Sequence, residues 1–451
     1  MLFHVVAIVG LRWLLTAANL GPGSVALWMG AVLLFFIPQG LAVLELSARM
    51  PEEGGIYVWT REAFGPLHGF ICGWAYWVNN LIYYPSLIVF MAGNAVLALG
   101  SWGTGLGDST AYNLIFSLAI LWFAVGMNIV GLKSGRWVQN SGGIATWVAV
   151  VVLVALAAAA LLTGRADNPL ATGTLVPDLS GGNINLWASL CFALAGLELA
   201  SVMGGEVKDP SRTLPRSILV AAPMIAGIYI VGTLSVMTIS STGDVDLISG
   251  IVEAIGEAGN LFGIPLTRIA ALLILVTGLG GLGAWMAGAA RIPFVVGVDR
   301  YLPAALGRVH PKWQTPHVAL FVQGIGATAF LLFSVLGSTV EEAYLILVDT
   351  TIIVYFIPYL YLFLAVPVLR KRTADSDTEF RIPLGGLGLG FVVFAGFGTT
   401  ALAMILATLP GEDGGSGFFV KVIGGAAGLM FVGLGFYVAA VRKAAKSGAT
   451  G

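Results

Sequence analysis

Apolar runs of about eighteen residues or more recur from one end of this 451-residue chain to the other, and each can cross a hydrocarbon core about 30 Å thick. A helix that packs on a water-soluble core keeps a polar face, and these runs have none. The chain therefore reads as an all-α polytopic membrane protein. Charge usage agrees: 10% of the residues are charged, against about 25% in soluble domains. With a net charge of −1, nothing points to a nucleic-acid partner; the surroundings to expect are a lipid bilayer. Cys72 and Cys191 both fall in apolar runs and read as small packing residues rather than a disulfide or metal pair.

About twelve spans can be drawn. They start with Leu2 to Leu20, Ser24 to Ala48, Gly65 to Leu99, Ala111 to Val130, Gly142 to Thr163 and Asn185 to Gly205. They continue with Ser217 to Ile239, Pro265 to Val298, His317 to Leu336, Tyr344 to Val366, Leu384 to Leu409 and Phe418 to Val441. A polar amphipathic stretch, Arg49 to Phe64, separates the second span from the third. Lys and Arg set orientation. With the N-terminus inside, only Arg165, Arg268 and Lys421 of the 22 basic residues fall outside, and Arg12 lies within a span. That split places both termini in the cytoplasm of a multi-pass cell-membrane protein. The acidic residues Asp244, Asp246, Glu253, Glu257, Glu341 and Glu342 then read as solvated outer loop faces.

The sixth span departs from an ordinary membrane helix. It reads NINLWASLCFALAGLELASVMGGEVKDPSRTLP, with Glu198 at a depth where a plain span carries Leu. A charge there costs roughly 3 kcal/mol or more, so it faces a cavity or a partner. Gly196, just after Ala195, and Gly204 and Gly205 allow the helix to open and present bare backbone, which is tolerated only beside a cavity. The first span is interrupted in the same manner. Gly10 is followed by Leu11, Arg12 and Trp13, then Asn19 and Gly21-Pro22-Gly23. Few apolar residues precede Gly10: either the helix begins at the membrane surface or the start lies inside a longer natural N-terminus. Arg12 either snorkels or meets a carboxylate, that of Glu198 or of a substrate.

Spans one and six are thus both cut by glycine, both carry an ionisable group, and stand five spans apart. That is the signature of an inverted repeat of five plus five helices. One repeat would cover about 1–163 and the second about 185–366, with two peripheral helices over about 384–441.

Other residues carry less. Gly278 to Gly283 fits G-x-G-x-x-G, but no strand precedes it, so it is no dinucleotide fingerprint. Small residues at that density permit close helix contact. Trp285 beside them reads as core packing or as a gate or wall of a cavity. Tyr355 and Tyr359, one turn apart on span ten, put two phenols on one face. Glu45 and Arg49 read as a structural i,i+4 pair. The four histidines are scattered, so neither a metal site nor a cofactor is expected. No nucleophile or catalytic pair at depth suggests an enzyme.

Several motifs resemble the amino acid permeases of the amino acid–polyamine–organocation superfamily. Glu45 to Met50, Pro51-Glu52-Glu53-Gly54-Gly55, Tyr57, Trp59 and Ala63-Phe64-Gly65-Pro66 resemble the segment between that family's second and third helices. Gly196 to Glu198 and Gly205 to Pro215 resemble its sixth helix and following loop; Trp285 to Arg291 with Asp299 to Pro303 resemble its eighth; Phe380 to Pro383 resembles the motif before its eleventh. The nearest likeness is to the bacterial glutamate/γ-aminobutyrate antiporter group. The resemblance implies broken first and sixth helices framing an amino acid, with Trp285, Tyr355, Tyr359 and Glu198 at the site. It implies a carboxylate held by backbone N–H groups near Gly10 to Trp13 and an ammonium by carbonyls near Ala193 to Glu198. Two departures stand out: Arg12 where that group has Tyr, and Gly281 where it has Glu. The group's long C-terminal plug has no counterpart after Val441. The expected function is a secondary transporter for amino acids, as exchanger or proton-linked permease; the alternative is uptake of polyamines or other organic amines.

Overall fold

Proline and hydroxyl side chains start several of the helices. Pro66 opens the third span, where a missing N–H costs nothing, and Pro210 opens the seventh. Ser109 caps the fourth by accepting the Tyr112 N–H at 3.3 Å. The structure, a computed structural model, describes residues 1–166, 176–177, 183–240, 246–335, 340–372, 380–409 and 417–446. Among these, nine helices are long and apolar enough to cross a membrane, and a bent pair at the N-terminus makes a tenth. Two shorter pieces, Asn183–Ala193 and His317–Leu332, complete the expected twelve.

Most predicted spans are recovered with longer ends. The fifth starts at Leu132 and the seventh at Pro210, because each runs on into its basic, water-facing turn. One correction concerns the loop before span eight. It holds a helix, Gly250–Leu261, with Glu253 and Glu257 on its exposed face. Asp246 there accepts the Ser249 N–H at 2.6 Å. Asp244, and the side chains of Glu341 and Glu342, lie outside the described residues.

The third span, Pro66–Leu99, has 34 residues, about 50 Å at 1.5 Å per residue. It lies along both the eighth (Thr267–Ala289) and the tenth (Val340–Arg372). The fifth span packs on the eighth so closely that a Cβ on Gly280 would stand 2.7 Å from Gly142 Cα. The glycine-rich stretch lets the two backbones touch, and Gln139 Nε2 donating to the Gly283 carbonyl and the paired Thr146 and Thr277 hydroxyls, both at 3.4 Å, add polar contacts. In the second span a π-helical turn, Val32–Phe36, precedes Pro38, which has no N–H to give its own helix. The eleventh and twelfth spans bury little of their surface, 33% and 17% of their apolar windows. The architecture is thus ten core helices arranged as an inverted five-plus-five repeat, with broken first and sixth spans and two helices at the periphery.

Candidate substrate site

The first span consists of Leu2–Ile8 and Arg12–Asn19, bent by 50° across the break. The sixth is cut likewise: Asn183–Ala193 ends, residues 194–198 turn, and one short turn, Leu199–Val202, follows. Gly196 adopts φ +125°, which side-chain-bearing residues avoid. A Cβ there would also stand 3.1 Å from Ile8 and from the Trp285 ring. Glycine is needed at this point for both reasons, and the two cuts meet there.

Side chains satisfy the backbone that the cuts expose. Tyr229, on the seventh span, accepts the Gly10 N–H at 3.1 Å, and its Oη lies 2.6 Å from the Ile8 carbonyl and 3.0 Å from that of Ala193. One phenol therefore ties both broken helices. Its single proton can serve only one of those carbonyls at a time. Trp285 Nε1 donates to the Ala7 carbonyl at 2.7 Å, and Tyr359 Oη accepts the Gly196 N–H at 2.8 Å. The expected amide cradle for a carboxylate is thus partly taken: Gly10 N–H goes to Tyr229, and Trp13 N–H to the Gly10 carbonyl at 3.0 Å.

Glu198 is fully buried. Its Oε1 accepts from Tyr355 at 2.6 Å and Tyr76 at 3.1 Å; its Oε2 accepts from Tyr359 at 2.6 Å and Gln39 Nε2 at 3.2 Å. A carboxylate offers about four lone-pair sites, and four donors use them. Arg12 is not among those partners, so the Arg12–Glu198 alternative is not realised. The Arg12 guanidinium instead lies 4.7 Å from the Trp13 ring centre and 5.1 Å from that of Tyr83, and reaches Ser86 Oγ at 3.4 Å. It is 2% exposed, so it does not snorkel to water.

Two cavities flank the cut in the first span. The first, about 10 Å³, lies between Ala7, Trp13, Asn79, Ala195, Trp285 and Tyr355, with Phe192 above it. The second, about 30 Å³, holds Gly10, Leu11, Arg12 and, from the eighth span, Thr277 and Gly281. Ala7 and Tyr83 line both. Of the sequence-predicted residues, Trp13, Ala195, Trp285 and Tyr355 border the first, and Gly10, Leu11 and Arg12 the second. Gly196, Glu198 and Tyr359 border neither; Glu198 and Tyr359 bond Tyr355 from behind, and Gly196 N–H bonds Tyr359. Sequence reasoning missed Tyr229, Tyr76 and Gln39. Only Gln39 had a local signal, a polar residue directly after an in-span proline.

The basic end of the molecule is closed by charge. Glu45, fully buried, accepts from Arg49 at 3.1 Å, from Arg370 at 2.7 Å and from the Ile382 N–H at 2.9 Å. The expected local pair is therefore part of a clamp joining spans two, ten and the approach to eleven. Removing one partner of such a pair leaves a buried charge. Arg291 bonds Glu206, and Gly54 N–H donates to the Val202 carbonyl at 2.9 Å. Glu53 in the same loop sits over Gly205. Burial pushes its carboxyl above the usual range; Arg291 opposes that and Glu206 adds to it. A carboxyl raised on folding favours the native state least once pH exceeds its folded value. Glu53→Gln is accordingly expected to raise the melting temperature of the solubilised protein at pH 8 and leave it nearly unchanged at pH 4. A lower melting temperature at pH 8 would mean that pairing with Arg291 outweighs burial.

With this geometry in place, comparison with known proteins is informative. The Amino acid permease family profile matches residues 2–439. An uncharacterized transporter, lpg1691, of Legionella pneumophila is 31% identical over 415 residues, covering 91% of this chain and 88% of that protein. The serine/threonine exchanger SteT of Bacillus subtilis is 28% identical over 350 residues, covering 76% and 75%. The crystal structure of MhsT in complex with L-phenylalanine shares the fold with a TM-score of 0.65 at 15% identity, covering 90% of this chain and 97% of that one. A multi-pass membrane chain matched almost end to end by one family profile, this protein belongs to the amino acid permease family.

Proposed function

We propose that the chain is a secondary transporter that moves an amino acid across the cell membrane by alternating access, with both termini cytoplasmic. Its two repeats would span about 1–163 and 185–366. The observation that carries the reading is the pair of cut spans whose exposed backbone converges on a cavity walled by Trp285 and Tyr355. That cavity is far below the roughly 300 Å³ of a small-molecule site, so the described state is a closed one whose walls part to admit cargo. The substrate carboxylate is taken by the Arg12 guanidinium, since two of the amides expected to hold it are engaged. The ammonium is taken by carbonyls of Ile8 and Ala193, which already compete for one phenol proton.

Exchange or proton-linked uptake is favoured over sodium symport. The cavity between spans one and eight, beside Thr277, already holds a guanidinium that repels a second cation. The same guanidinium disfavours polyamines, the competing substrate class. Counterflow in proteoliposomes, with twenty amino acids, putrescine and agmatine, with and without a pH gradient and sodium, tests all of this. An amino acid should exchange without sodium. Exchange of amines alone, or strict sodium dependence, would overturn the reading.

A further inference from the structure

Among the described residues, the buried asparagines inside helices follow a habit that one of them breaks. Asn80, Asn94 and Asn128 each turn Nδ2 back onto the carbonyl four residues earlier, at 2.8, 2.8 and 2.9 Å. Asn79 makes no such bond among the described residues. It is 2% exposed, and its Oδ1 is buried without a hydrogen-bond partner among the described residues. Other buried amide oxygens share that condition, but Asn79 is the one that also lines the first cavity. The remaining walls there are aromatic rings, small or branched apolar side chains and the backbone of the two cut spans. An isolated amide in such a setting is costly unless something bonds it. Turning the amide end for end only exchanges which polar atom is left over.

The position matters as much as the orphan atom. In the reading above, the cut ends of spans one and six, with Arg12, take the carboxylate and ammonium common to all amino acids, and residues of both cut spans share the first cavity with Asn79. Asn79 comes from the third span, next to Tyr355 of the tenth and Trp285 of the eighth, where a side chain would project. The cavity carries no charged group among its lining residues. We propose that Asn79 is the specificity-determining residue for the substrate side chain. It selects a small uncharged side chain that can hydrogen-bond to the amide, a hydroxyl or a carboxamide, over an apolar one of equal size. The inference rests on the amino-acid reading above and deepens it.

Isosteric pairs test it directly. In counterflow, the unmodified protein should prefer threonine over valine, and asparagine over leucine, by about tenfold in kcat/KM, within the range for leaving a buried polar group unpaired. Asn79→Leu and Asn79→Ala should bring both ratios to within about threefold, through loss on the polar member of each pair. Equal handling of threonine and valine by the unmodified protein overturns the proposal and needs no variant. Retention of the preference in both variants overturns it as well. If amino acids exchange but without this preference, the side-chain assignment alone fails. If no amino acid exchanges at all, both readings fail together.

Discussion

Glu198→Gln is expected to slow exchange about 100-fold while leaving membrane insertion and monodispersity intact. The carboxylate accepts from three phenols and one amide, on both oxygens. A carboxamide has one acceptor oxygen, and its NH₂ would face groups already donating. At least two donors then lose their acceptor in a dry interior. Each unsatisfied group costs about 1–3 kcal/mol, and roughly 2.7 kcal/mol is a factor of 100 in rate. The loss should fall on turnover, because the ring holds Tyr355 against the cavity in the closed arrangement through which cargo must pass. Initial counterflow rates and fluorescence-detected gel filtration separate turnover from misfolding. Near-normal rates in a well-behaved variant would place the working residues elsewhere.

The second large effect is expected at Tyr229. Tyr229→Phe deletes one oxygen and keeps the ring, which is stacked on Trp28 with centroids 4.6 Å apart. The helix packing therefore survives, and the change isolates the hydroxyl. Ile8 and Ala193 lose their shared donor and Gly10 N–H one of its acceptors. At about 1–3 kcal/mol per buried group, exchange should fall roughly 30-fold, with a rise in KM larger than that seen for Glu198→Gln. The reason is that these are the carbonyls proposed to take the substrate ammonium. A variant with unchanged KM would mean that the two cuts are held together by other contacts and that the hydroxyl is incidental.

How much of this was legible beforehand follows from range. The spans were readable because apolarity over about twenty residues is a local property. The cuts at Gly10 and Gly196 were readable because glycine and an ionisable residue break that pattern at one point. Which groups would close on the cuts was not readable, since Tyr229 lies 219 residues from Gly10 and 36 from Ala193. A single Tyr in an apolar helix looks like packing until its neighbours are known. Glu198 was marked as exceptional, yet its company of phenols was not foreseen. The sequence pattern shows an ionisable residue at depth, and only the packing of spans two, three and ten shows the four protein donors around it. Asn79 and Asn80 are alike in sequence; what distinguishes them is that Asn80 turns its amide onto the Tyr76 carbonyl and Asn79 makes no such bond among the described residues.

At the basic rim, Gly55 has φ +39°, and a Cβ on it would press 2.9 Å from the Val202 nitrogen, while Gly54 bonds the carbonyl of the same residue. Main chain therefore lies directly on main chain, with no side chain between to flex. The stub of the sixth helix cannot swing away unless residues 51–55 travel with it. A rigid binder fastened across that stretch would jam the carrier from outside the pore, without ever approaching its cargo.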